Sequence, residues 1–174
     1  MTYTLYDGTV AVVQSILKTL SHILHQAEQQ QADASSTITS ALLEARLRDD
    51  MYPLSDQVRL ATQFSENLVA RLTGREPITL GDAPTTFAQC YERIETVLKT
   101  ANAADKEVVN AAGDVVEPTK IRPTVLVDVS GAAYAHTMAL PNIYFHLTTA
   151  YGILRKEGVP LAKRDYYVGF FPLP

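Results

Sequence analysis

The side chains suited to proton transfer or metal binding near neutral pH are few: His22, His25, His136 and His146, with the carboxylates, amides and phenols that could stand beside them. His146 is the most telling. It lies in the run from Leu140 through Pro141, Asn142, Ile143, Tyr144 and Phe145 to Arg155, closed by Gly158 and Pro160. At about 100° per residue it shares a helical face with Ala139, Ile143, Leu147, Ala150, Ile153 and Leu154. An imidazole among apolar neighbours needs a partner or a task. The plainer reading is a core histidine satisfied by one hydrogen bond. The chemical reading is a general base or acid, oriented by a carboxylate or a phenol.

Gln57 is a second polar residue inside an apolar stripe, and Asp49 and Asp50 enter from the loop before it. Asp50 serves either as the partner of His146 or as an ordinary loop or cap residue. Tyr52, Tyr144, Tyr151 and His136 are the candidates to line a cavity around His146, with Gln57 and a tyrosine hydroxyl polarising a substrate oxygen. His22 and His25 have a His-x-x-His spacing but fall opposite the Leu17, Leu20 and Leu24 stripe, which favours a solvated face over a zinc site. Cys90 sits at helical spacing with no histidine near it in sequence and reads as a small apolar side chain.

Long helices must position these groups. Val10, Val13, Leu17, Leu20, Leu24 and Ala27 predict a helix over about residues 9–30, capped by Asp7 or Thr9, ahead of a break at Ser35 and Ser36. A short helix is expected from Thr37 to Arg46, then a second long one from near Ser55 to Gly74. Phe87, Cys90, Tyr91, Ile94, Val97 and Leu98 predict a third, ending near Asn102. Between Asp105 and Ser130, Val108-Val109, Val115-Val116 and Val125-Leu126-Val127 are β-branched runs split by turn residues, so a small hairpin excursion is expected there. The fourth long helix begins with Pro141 in its first turn. The aromatic tail from Tyr166 to Pro174 is expected to pack across the bundle.

At 174 residues, 47% hydrophobic and 20% charged, the chain fits one globular domain, residues 1–174. A net charge of −4 gives no basic footprint, which argues against nucleic acid. No stretch approaches the roughly 18–20 apolar residues of a membrane span. One cysteine excludes an internal disulfide framework and suits a reducing, cytoplasmic setting.

The strings Ala45-Arg46-Leu47, Asp50-Met51-Tyr52-Pro53-Leu54 and Gln57-Val58, with the block Leu140 to Arg155 and then Gly158-Val159-Pro160-Leu161 and Lys163-Arg164-Asp165-Tyr166, resemble domain of unknown function 1993 over nearly the whole chain. That resemblance implies a mainly α, DinB/YfiT-like four-helix bundle with a small β-hairpin excursion before the last long helix. The wider DinB-like group often holds a divalent metal on three histidines, one on the second helix and two spaced four residues apart on the last. His146 matches the first of that pair, but the other positions are Ala150 and Gln57. One imidazole, one amide and one methyl group do not supply three ligands. A metal would require Asp50 or His136 to be recruited.

The expectation is therefore a small-molecule-binding bundle with no metal and no cofactor. In that reading it performs acid–base chemistry of lyase, isomerase or cyclase type on a small apolar substrate, with His146 moving the proton and Asp50 assisting. The alternatives are a non-catalytic ligand-binding or dimerising protein with a decayed DinB-like site, and a divalent-metal-dependent DinB-like enzyme. A homodimer is compatible with the aromatic tail.

Overall fold

Apolar residues recurring at helical spacing build four long helices, and short elements join them. The structure, a computed structural model, describes residues 2–33 and 39–171. Its helices are α1 (Leu5–Gly8), α2 (Val10–Asp33), α3 (Thr39–Glu44), α4 (Leu54–Thr73), α5 (Phe87–Asn102) and α6 (Lys106–Ala111), followed by a 3-10 turn at Ala112–Asp114. Strands β1 (Val116–Arg122) and β2 (Val125–Ser130) come next, then α7 (Gly131–Tyr134), a π turn at Ala135–Ala139, α8 (Leu140–Lys156) and α9 (Lys163–Tyr167). The expected break at Ser35 and Ser36, the expected helix start at Thr37 and the last three residues of the tail lie outside the described residues.

α4 packs against α5 and α8, and α2 packs against the same two helices, which closes a four-helix ring. Leu17, Leu20, Leu24, Val58, Leu68, Ile94, Ile143 and Leu147 fill its centre. Gly74 ends α4 in the left-handed region at φ 67°, and its N–H returns to the carbonyls of Ala70 and Arg71.

Three local expectations need correction. Val108 and Val109 are helical rather than extended, because Asp105 caps α6 by accepting the N–H groups of Glu107 and Val108. The hairpin is accordingly shorter, pairing Val116 with Ser130 through Arg122 with Val125, with an irregularity between Lys120 and Arg122. Thr9 does precede α2, its carbonyl accepting the Val13 N–H at 2.9 Å, but no side-chain cap from Thr9 or Asp7 to α2 occurs among the described residues' hydrogen bonds. Asp7 forms a capping box with Thr4 on α1, and the Thr9 hydroxyl donates to Leu5 O at 2.6 Å.

Pro141 does lie in the first turn of α8, as expected, and the third correction concerns the backbone ahead of it. Helical backbone already runs from Gly131 through the π turn into α8. A proline removes one backbone hydrogen bond and crowds the carbonyl four residues earlier. The wider π turn just upstream, where the Leu140 N–H reaches Ala135 O, takes up that misfit.

The tail crosses the bundle as expected. Tyr166 and Phe170 stack at 6.2 Å, Phe170 stacks on Tyr144 at 6.1 Å, and the Gly169 N–H donates to Thr19 Oγ1 on α2. His22, expected on a solvated face, instead pairs with Asp165 of α9 at 3.0 Å. His25 is exposed and stacks on Tyr91 with ring centroids 4.1 Å apart.

Candidate functional site

α4 and α8 bring Gln57 and His146 together inside the bundle. Both are buried, at 1% and 7% exposure. His146 Nδ1 lies 2.8 Å from Gln57 Oε1, and Gln57 Nε2 donates to the backbone carbonyl of Tyr52 at 2.9 Å. That second bond settles the tautomer. A carbonyl only accepts, so the amide nitrogen faces Tyr52 and the amide oxygen faces the ring. Nδ1 therefore carries the proton, and Nε2 presents a lone pair.

No described residue hydrogen-bonds Nε2, and it is not among the buried polar atoms left without a partner. Phe64 stacks on the imidazole at 5.8 Å, with ring planes 9° apart. Phe145 meets it edge-on at 5.3 Å and is itself exposed. Burial lowers the His146 pKa to about 4, and the Arg59 guanidinium pushes the same way against the weaker pull of Asp56. The ring is neutral at neutral pH.

The other expected site residues are scattered. Asp50 is exposed in the loop ahead of α4 and makes no bond to His146, whose orienting partner is an amide instead of a carboxylate or phenol. Asp50 is not the helix cap either, since Pro53 occupies that position without a side-chain bond. Tyr52 contributes its carbonyl while its side chain is 60% exposed. Tyr144 and Tyr151 face the tail, against Phe170 and Tyr166 respectively. Burial pushes the Tyr144 phenol upward in pKa, with Tyr166 and Tyr3 adding to it. His136 is exposed on the π turn. The site that forms is thus His146, Gln57 and the Tyr52 carbonyl beneath Phe64 and Phe145.

Phe64, seven residues after Gln57, is legible in the sequence as part of the same apolar face, but nothing in the spacing marks it as a site residue. Cys90 is fully buried and burial raises its thiol to about 12, so it is no nucleophile.

The model for "Domain of unknown function (DUF1993)" matches residues 5–167. The chain belongs to the DUF1993 family. Among solved structures, this DUF1993 chain is similar to a DinB family member protein from Shewanella denitrificans, at 34% identity over 98% of this chain and 94% of that one, with a TM-score of 0.86. No curated protein matches it. The fold of this DUF1993 member is therefore DinB-like, and mainly helical with one two-stranded hairpin.

The metal site associated with the wider DinB group does not fit these residues. The Gln57 oxygen accepts from His146 and its nitrogen donates to Tyr52, so the amide is committed at both ends. Ala150 offers no donor atom. Among the described residues, no three His, Cys, Asp or Glu side chains stand close enough to share a metal ion. No described helix is long and apolar enough to cross a membrane.

Proposed function

We propose that this DinB-like bundle is a small-molecule-binding protein in which neutral His146 accepts a hydrogen bond at Nε2 from a ligand hydroxyl or N–H. The observation that carries this reading is the fixed tautomer: Gln57 holds the proton on Nδ1 and leaves the Nε2 lone pair without a partner among the described residues. Phe64 and Phe145 supply aromatic surface beside it, which suits a small ligand with an apolar body and one donor. A histidine with a pKa near 4 is a weak base at neutral pH, so the geometry favours acceptance over proton abstraction.

The test is nitrogen NMR of the imidazole during titration with phenol. The expected result is a saturable shift of the His146 Nε2 resonance with Nδ1 still protonated, and loss of phenol binding in His146→Phe. An Nε2 resonance indifferent to phenol, or phenol binding that survives His146→Phe, overturns the reading. Ring protonation on ligand binding would instead support the acid–base enzyme expected from the sequence.

A further inference from the structure

The C-terminal end of α4, which lies 16 residues and about 24 Å along the helix from Gln57, is ringed by three cavities that share residues. One of about 330 Å³ is mostly apolar, with Leu72, Val108, Ala112 and Val115 among its lining. A second of about 340 Å³ lies on the other side of Val108, against Ala103 and Ala104. The third, about 460 Å³, is polar and is lined by Arg71, Arg75, Glu76, Glu117 and Lys120. Thr73 and Val108 belong to both apolar spaces, while Arg71, Gly74 and Glu117 belong to the first and third. The three form one groove around the end of the helix, with a greasy side and a charged side.

Arg71 stands where the two sides meet. Its Nη1 donates to Thr119 Oγ1 and its Nη2 to Val129 O, both at 2.6 Å, and its guanidinium stacks on Tyr134 at 4.4 Å. Those contacts hold the group rigid but leave Nε buried and without a hydrogen-bond partner. The nearest carboxylate oxygen, Glu117 Oε2, is 3.8 Å away on a half-exposed side chain, beyond hydrogen-bond reach. Lys120 makes no ion pair among the described residues, whereas Arg75 is already neutralised by Glu66.

We infer that this groove binds an amphiphilic carboxylate, its apolar chain against Leu72 and Val108 and its carboxylate on Arg71 and Lys120 in place of the Glu117 side chain. A carboxylate matches the free Nε–H of a guanidinium whose two terminal nitrogens each already hold a hydrogen bond. The apolar space lies at the lower end of the volumes typical of ligand pockets. A bare inorganic anion would meet Glu76 and Glu117 without any apolar gain, so the chain is part of the recognition. This site is separate from His146 and does not depend on the reading given to it.

Isothermal titration with sodium decanoate, kept below micelle-forming concentration, tests the inference against decanol and inorganic phosphate. Saturable one-to-one binding of decanoate is expected, with decanol and phosphate much weaker. Arg71→Leu should weaken it about tenfold, the scale of one charge-assisted hydrogen bond. Glu117→Gln should tighten it, because the competing carboxylate is gone. Arg71 also anchors the hairpin, so Val108→Glu on the exposed face of α6 provides a second probe, and it should abolish binding while thermal melting is retained. Absence of saturable decanoate binding, decanol binding as tight as decanoate, or an unchanged affinity in Val108→Glu would each overturn the proposal.

Discussion

His146 and Gln57 work as a pair in which the amide decides the state of the imidazole. Gln57 accepts from Nδ1 because its own nitrogen is committed to the Tyr52 carbonyl, and burial under Phe64 keeps the ring uncharged. This has a thermodynamic consequence with a definite sign. The folded pKa near 4 lies below the ordinary 6.5, so the unfolded chain takes up this proton first as pH falls. Stability should fall with pH across that interval, by up to about 3 kcal/mol from this residue alone. Urea melts of the wild type and His146→Leu across the interval measure it. The wild type should show the steeper loss, and parallel pH profiles would count against a buried, uncharged His146.

Helices carry a second polar assembly that joins α4 to α5. Glu66 is fully buried on α4, and its carboxylate takes both guanidinium nitrogens of Arg75 at 2.5 and 3.0 Å, the Ile78 N–H and the Thr100 hydroxyl. Burial works to raise its pKa, but the Arg75, Ile78 and Thr100 hydrogen bonds outweigh it and hold the acid below its ordinary 4.5. Its contribution is thus complete above that value and is lost as pH falls through the folded pKa. Glu66→Gln should cost about 2–3 kcal/mol at neutral pH, the range for hydrogen bonds to a charged group, and should flatten the acid limb of a denaturation series. A melt like the wild type's would remove Glu66 from the list of supports. None of this assembly is readable from spacing, since Arg75 lies nine residues beyond Glu66 and Thr100 thirty-four. The helices themselves were readable, because α4 and α5 repeat apolar residues at the helical period and end at Gly74 and near Asn102. Gln57 and His146 also announced themselves as polar residues within apolar stripes. Their pairing did not, because it depends on how α4 and α8 cross. Val108 and Val109 misled for a different reason: β-branched composition suggested strand, and one capping carboxylate decided for helix.

The whole molecule is strapped by its C-terminal segment. α9 is held by the His22–Asp165 pair, and the backbone beyond it lies against α2, where a side chain on Gly169 would run into Ser15 O and the Thr19 hydroxyl. Gly169→Ala should therefore lift the strap, at a cost of about 1–3 kcal/mol typical of overpacking. Chymotrypsin should then cut at Tyr166 or Tyr167 much faster than in the wild type, and equal cleavage rates would show that the close approach does not hold the strap down. The π turn at Ala135–Ala139 has a reach of the same kind. It amounts to one residue more than an α-helical turn would need, and one residue is about 100° of rotation. The hairpin and Tyr134 lie on one side of that extra residue and His146 on the other, so it sets the angular phase between the two ends of the bundle. Excising it would leave each end locally sound while turning one against the other, like two gears meshed a tooth apart.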